Sequence, residues 1–276
     1  MKKMKLLSMK AGVLYLLFAL LVSSCTKDPV TPDPQNPPPG SSKKLSKIAY
    51  DDGSYESIAY NSNGSIKTII NHIAFGSSTP IHVVYDFVYS GSQVSEVRGD
   101  DGSKFKYTYD ANNKLSKTEM FSTGGNLIAW YAYTYDANGK LWKTEGYTRA
   151  PGGGVSTTPT LRYENEYYAN GNLKKLTLYF KDANTGALDK TNEFVFSQYD
   201  TNPNTTAVFE TNPYLPMESF IPNNPLSEIH YDSFGNVEET VAHTYTYDAG
   251  GYPLTRKTVT KSTGFPDTIE NATFSY

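Results

Sequence analysis

The sequence predicts an all-β fold, a long antiparallel meander of about 15–16 strands curled into a curved sheet or partial barrel. Three observations predict it. A tyrosine-led turn recurs at intervals of 16 to 32 residues from Tyr60 onward. Segments between the turns alternate in character, as in Tyr131, Tyr133 and Tyr135 against Trp130, Ala132 and Thr134. No stretch sustains the 3.6-residue period of an amphipathic helix.

Residues 1–24 read as a leader. Lys2, Lys3, Lys5 and Lys10 flank or precede an apolar run, residues 11–22. That run is shorter than the roughly 20 residues a spanning helix needs, and has the length of a signal-peptide core. It ends Leu21-Val22-Ser23-Ser24-Cys25. A branched aliphatic residue followed by two small ones before cysteine resembles the lipobox of bacterial lipoproteins. There the scissile backbone must enter a narrow protease site. The resemblance implies cleavage before Cys25, a diacylglyceryl group on its sulfur and an acyl group on the new amino terminus. The expected address is the cell envelope, at the outer membrane of a Gram-negative bacterium, with the lipid on Cys25 as the membrane contact.

Residues 25–43 form the tether. Six prolines, Pro29, Pro32, Pro34, Pro37, Pro38 and Pro39, block helix and sheet and favour polyproline II. At ~3.1 Å per residue the tether reaches roughly 55 Å.

Residues 44–276 are expected to form one all-β repeat domain. The clearest turns are Tyr109-Asp110-Ala111-Asn112-Asn113-Lys114-Leu115 and Tyr135-Asp136-Ala137-Asn138-Gly139-Lys140-Leu141. The segments opening at Tyr60, Tyr167 and Tyr231 keep this register; the one at Tyr89 is a residue shorter and the one at Tyr247 a residue longer. In the second copy Asp136 caps the turn, Ala137 and Asn138 take type I positions, and Gly139 supplies positive φ. Tyr135 and Leu141 then face each other across the hairpin. Asp52-Gly53 and Asp101-Gly102 carry the signal of tighter, two-residue hairpins. One insertion, residues 202–226, breaks the rhythm with five prolines among apolar residues. It is expected to cap an exposed sheet edge.

Composition narrows the chemistry. Losing the four leader lysines leaves 21 basic residues (25 less 4) against 28 acidic ones, a net charge of -7. Such a chain is no ligand for phosphate backbones, so nucleic acid is not an expected partner. The single cysteine, Cys25, is consumed by lipid, which removes disulfide, zinc-thiolate and thiol-nucleophile chemistry. His72, His82, His230 and His243 show no ligand spacing, and no metal or cofactor is expected. Asp136 opens no EF-hand, because the twelfth residue from it is Tyr147. Glu164 and Glu166 share one strand face and read as solvated strand charges rather than a glycosidase pair. No catalytic residue is expected.

The Tyr-Asp turn followed by Gly and Leu resembles the YD repeat of Rhs and teneurin-type shells. A second resemblance spans residues 44–276. The run Asn224-Pro225-Leu226-Ser227-Glu228-Ile229, the later Tyr245-Thr246-Tyr247-Asp248-Ala249-Gly250-Gly251-Tyr252-Pro253 and the ending Phe274-Ser275-Tyr276 are similar to a family of uncharacterised lipid-anchored bacterial proteins. That family is a domain of unknown function with a porin-like fold. The resemblance implies a long meander, curled into a partial barrel, and assigns no activity.

A membrane-spanning barrel is not expected, because Lys143 and Glu145, or Glu238 and Glu239, would put charge on a lipid face. The expected function is a non-catalytic binding module for a glycan or an envelope protein. The alternative is a structural envelope scaffold with no small ligand. The candidate contacts are the rings clustered in one hairpin, Trp130, Tyr131, Tyr133, Trp142 and Tyr147.

Overall fold

The computed structural model describes residues 43–75, 78–149, 153–205 and 222–276. The predicted leader, the lipidation residue Cys25 and all of the tether but Lys43 lie outside the described residues, as do residues 206–221 of the insertion.

The described residues form sixteen strands. They are β1 Lys47–Tyr50, β2 Tyr55–Tyr60, β3 Ile66–Phe75, β4 Ser78–Ser90, β5 Gln93–Gly99, β6 Lys104–Tyr109, β7 Leu115–Phe121 and β8 Leu127–Tyr135. The series continues with β9 Leu141–Thr148, β10 Leu161–Tyr167, β11 Leu173–Lys181, β12 Leu188–Pro203, β13 Asn223–Tyr231, β14 Val237–Tyr247, β15 Pro253–Ser262 and β16 Thr268–Ser275. Each pairs antiparallel with its sequence neighbours, and β1 pairs with β16 through Lys47↔Ser275 to Tyr50↔Ala272. The meander therefore closes into a barrel and leaves no free edge. The expected cap therefore has no exposed sheet edge among the described strands to cover: β12 and β13, which the insertion connects, pair with one another as far as Pro203↔Asn223.

The turn chemistry sets the geometry. In the Asp136 turn the backbone N–H of Asp136 donates to Lys140 (2.8 Å) and that of Gly139 to Asp136 (3.0 Å). The Asp136 carboxylate accepts from the N–H groups of Asn138 (2.9 Å) and Lys140 (2.8 Å). Gly139 has φ 82°, and Asn113 takes the same place in the Tyr109 turn at φ 62°. The turns at Asp52-Gly53 and Asp101-Gly102 differ from expectation. A type I′ hairpin needs positive φ at both central residues, whereas only Gly53 and Gly102 have it. Both belong to the same three-residue class, closed by Tyr50 N–H to Ser54 (2.8 Å) and Gly99 N–H to Ser103 (2.9 Å).

Immediately after the turn, each repeat strand carries a bulge. Tyr135 pairs with Leu141 and Thr134 with Lys143, leaving Trp142 as the extra residue. Ser116 and Lys174 hold the same place after the turns at Tyr109 and Tyr167. The bulge breaks strict alternation, so Leu141 and Thr144, or Leu173 and Leu176, both face inward three residues apart.

Tyrosine hydroxyls from the following hairpins satisfy the carbonyls at these bulges, apart from Val237, which takes the Thr263 hydroxyl, and also the carbonyl of Leu45 ahead of β1. Tyr60 donates to Leu45 (2.6 Å), Tyr89 to Ile66 (2.8 Å), Tyr109 to Val94 (2.9 Å) and Tyr135 to Leu115 (2.8 Å). Tyr167 donates to Leu141 (2.6 Å), Tyr199 to Leu173 (2.6 Å) and Tyr276 to Pro253 (2.9 Å). This ladder runs around one end of the barrel, the tyrosine end, where the described chain also begins and finishes. The Tyr231 turn joins β13 to β14 at the far end, so its match in sequence does not place it with the others.

The barrel is filled rather than hollow. Ile58, Ile69, Val97, Phe105, Tyr107, Tyr131, Tyr133, Leu161, Tyr163 and Leu178, from strands between β2 and β11, are all buried in one core cluster. Gly146 makes room inside it: a Cβ there would stand 2.6 Å from Leu161 Cδ1 and 2.9 Å from Tyr131 Cε1.

The ladder makes a measurable prediction. Tyr135→Phe leaves the Leu115 carbonyl without its donor and should cost about 1 kcal/mol in urea unfolding. Tyr231→Phe, outside the ladder, should stay within about 0.5 kcal/mol of the parent. Burial lifts the hydroxyls of Tyr60 and Tyr109 to about 12. The protonated, donating form is therefore favoured in the fold, and its contribution is complete below the ordinary tyrosine pKa of about 10 and fades as pH rises from there. Equal costs for the two substitutions, or stability flat from pH 9 to 12, would rule the ladder out as a stabilising device.

Candidate functional site

The predicted aromatic hairpin is β8–β9, and strand alternation divides its rings. Tyr131 and Tyr133 point into the barrel and are buried. Trp130 and Tyr147 stand outside, stacked at 3.6 Å between centroids and 6° between planes, with the Lys117 ammonium 5.2 Å from the indole centroid. Trp142, the bulge residue, is exposed on the outer surface beside Lys143. The five rings therefore do not form one platform: two are core, two stack on each other, and one stands apart.

The outer wall is charged along its strands. Lys117 pairs with Glu119 (2.8 Å), Lys143 with Glu145 (3.3 Å) and Arg162 with Glu164 (3.1 Å). Tyr179 also donates to Glu164 (3.2 Å), so that carboxylate is a strand charge with local partners. A lipid-facing barrel needs an apolar outer band about 25 Å tall, whereas β7, β9 and β10 carry these ion pairs on their outer faces.

Sequence reasoning missed the polar part of the inner wall. Glu228 and His230 on β13 face inward beside Glu239 and His243 on β14, Thr258 on β15 and Ser262 at its end. His243 Nε2 lies 2.9 Å from one Glu228 oxygen and His230 Nε2 3.2 Å from the other. His230 Nδ1 stands 3.2 Å from Glu239, His243 Nδ1 3.0 Å from Thr258 Oγ1, and Ser262 donates to Glu239 (2.8 Å). Burial by itself would raise the Glu228 pKa. Hydrogen bonds from His230 and His243, with their charge, outweigh it and hold the carboxyl well below the usual carboxylate range. The signal was present as spacing, since residues two or four apart on a strand share a face.

Among the described residues, no group of three or more His, Cys, Asp or Glu is arranged to hold a metal ion. The inner network is a chain of mutually satisfied groups.

The far end carries an apolar crown. Phe234, in the β13–β14 turn, is 88% exposed, and Phe265, in the β15–β16 turn, 64%. Val237 and Ile269 are exposed beside them. The two turns are tied together, Thr263 donating from its N–H to Glu238 (3.0 Å) and from its hydroxyl to Val237 (3.2 Å). Asp232, Glu238 and Asp267 lie in the same turns and strand ends.

No family model matches the chain, and no curated protein is similar to it. Solved structures share its fold. A porin-like protein from Bacteroides uniformis aligns with a TM-score of 0.58 at 13% identity, covering 84% of this chain and 97% of that one. A porin-like protein from Bacteroides vulgatus aligns with a TM-score of 0.54 at 12% identity, covering 85% and 99%. The similarity is to the barrel as a whole.

The Glu228 network predicts a pH signature. A depressed pKa means that its contribution is complete above the unfolded-state value of about 4.3 and is lost as pH falls below it. Glu228→Gln should therefore destabilise the barrel by about 3 kcal/mol at pH 7, by breaking a buried charged cluster. The gap to the parent should narrow at pH 3. Denaturation curves showing the same gap at both pH values would exclude this account.

Proposed function

We propose that the chain is a lipid-anchored, non-catalytic binding module of the cell envelope, whose barrel is carried at the membrane rather than through it. The polarity of the barrel carries this reading. Its core is packed with aromatic and aliphatic side chains, leaving no conduit through that part, and its outer wall holds Lys–Glu and Arg–Glu pairs suited to water. The Leu21 to Cys25 lipobox supplies an anchor and the proline-rich residues 25–43 a tether.

The crown is the binding surface this reading favours. Lys43, the first described residue, sits at the tyrosine end against Asp248, Tyr252 and Tyr276. A tether entering there leaves the far end free to point away from the anchoring membrane. Exposed Phe234 and Phe265 among Asp232, Glu238 and Asp267 suit an envelope protein with an apolar, positively charged surface. The Trp130–Tyr147 pair is less suited to a sugar, because one face of each ring is already covered by the other.

Two readouts on the full chain test the proposal. Cys25→Ser should abolish incorporation of a fatty-acid label and move the protein from the membrane fraction to the soluble one; a labelled or membrane-bound variant refutes the anchor. In pull-downs from native envelope, an envelope protein held by the parent should be lost from the Phe234→Ser, Phe265→Ser double variant and kept by Trp130→Ala. The opposite pattern, or a glycan-array signal removed by Trp130→Ala, would move the binding surface to the hairpin.

A further inference from the structure

Register brings together two histidines that are ten residues apart in sequence. His72 on β3 pairs directly with His82 on β4, between Asn71↔Val83 and Ile73↔Ile81. Asn71 is buried in the barrel, so alternation turns His72, and His82 opposite it, to the outer wall. Their Nδ1 atoms face each other at 3.4 Å, with the rings crossed at 66° rather than stacked.

At that separation one neutral ring can donate a long hydrogen bond to the other. The same separation also suits shared coordination. At the ~2.0–2.1 Å bond of zinc to imidazole, two nitrogens subtending a tetrahedral angle stand ~3.3–3.4 Å apart. We infer that His72 and His82 form a two-histidine site for a first-row transition-metal dication, with solvent completing the coordination.

The surroundings hold the pair in place. Tyr55 on β2 stacks flat on His72, with 4.8 Å between centroids and 15° between planes. The Lys47 ammonium lies 4.5 Å from the Tyr55 centroid. Tyr55 thus occupies one face of His72 and leaves its ring edge directed at His82. Backbone pairing on both sides fixes the Cα positions before any ion arrives, so binding orders little beyond two side-chain rotamers. Imidazole donors select zinc, nickel or copper over the oxygen-seeking magnesium and calcium. Two protein ligands leave open positions facing solvent, where an ion could take a further donor from a bound molecule.

The test is calorimetric titration of the untagged chain with zinc chloride, with magnesium chloride as comparison. The expected result is one saturable zinc site per chain and no magnesium heat. His72→Ala and His82→Ala should each weaken zinc at least ~10-fold. His243→Gln, inside the barrel, should leave the zinc affinity unchanged if its circular dichroism matches the parent. Because His72 and His82 lie on the outer wall, their variants should keep the parent's melting temperature without zinc, which separates lost binding from lost folding. Zinc heat that persists in both outer-wall variants, or a parent that binds no zinc at millimolar concentration, would overturn the inference.

Discussion

The barrel depends on the bond from a tyrosine hydroxyl to a bulge carbonyl. A three-residue turn with a following bulge gives strong right-handed twist, which curls a long meander on itself. The same bulge takes a carbonyl out of the strand ladder in a part-buried place, where an unpaired acceptor is costly. The tyrosine that ends the next hairpin supplies the missing donor, and its ring packs against the core at the same time. Lysine adds a second link between turns. Lys44 and Lys114 reach the next turn, donating to the carbonyls of Gly64 (2.9 Å) and Gly139 (3.2 Å) while lying over the rings of Tyr60 and Tyr135. In Tyr-Asp-Ala-Asn-Gly-Lys-Leu, the ends pack the core, Asp and Gly shape the turn, and Tyr and Lys each join one repeat to the one before or after it.

Polarity then determines what such a barrel can be. A sixteen-strand wall can enclose water, but here the inward positions of β5 to β11 are mostly Val, Phe, Tyr and Leu in one cluster, with buried Thr118, Thr144 and Asn165 among them. Buried polar groups lie elsewhere too, as Glu56 on β2 and Asn71 on β3 show, but the histidine network sits on β13 and β14, where Glu228 takes one histidine on each carboxylate oxygen. Nearby, Arg256 donates to Glu270 (2.9 Å). The shared fold with porin-like proteins thus describes the path of the chain, while the chemistry of the two faces is this sequence's own.

The repeated hairpins were legible because their information is local. Turn class, the cross-strand Tyr135–Leu141 pair and the strand count follow from residues within a few positions of one another. Closure was not legible, since the pairing of Ile48 with Phe274 joins the two ends of the domain. The bulges were hidden as well. Strict alternation places Trp142 and Thr144 on one face, whereas the bulge turns Trp142 out and Thr144 in. The aromatic hairpin looked like one surface for a related reason: sequence proximity gathers rings, and alternation separates them. His72 and His82 show the converse, since their spacing means nothing until the β3–β4 register fixes which residues oppose each other.

The ladder has one break, and it shows how the barrel tolerates an insertion. Between β12 and β13 the short turn is replaced by residues 204–222, and among the described residues no bulge carbonyl receives the next tyrosine. Tyr247 instead donates to the Asp200 carboxylate, which also accepts from the Asn224 backbone and side chain (3.0 Å each). Asn172 and Asn223 bond reciprocally, at 3.0 and 3.1 Å, and Asn204 N–H closes onto Pro222 (2.9 Å). Side-chain carboxylate and amides thus do here what backbone carbonyls do elsewhere. This clasp rejoins the strands at the base of the insertion, where β13 begins. A barrel held by neighbour-to-neighbour bonds can admit such a segment wherever one clasp replaces one rung, while the core and the remaining turns keep their geometry.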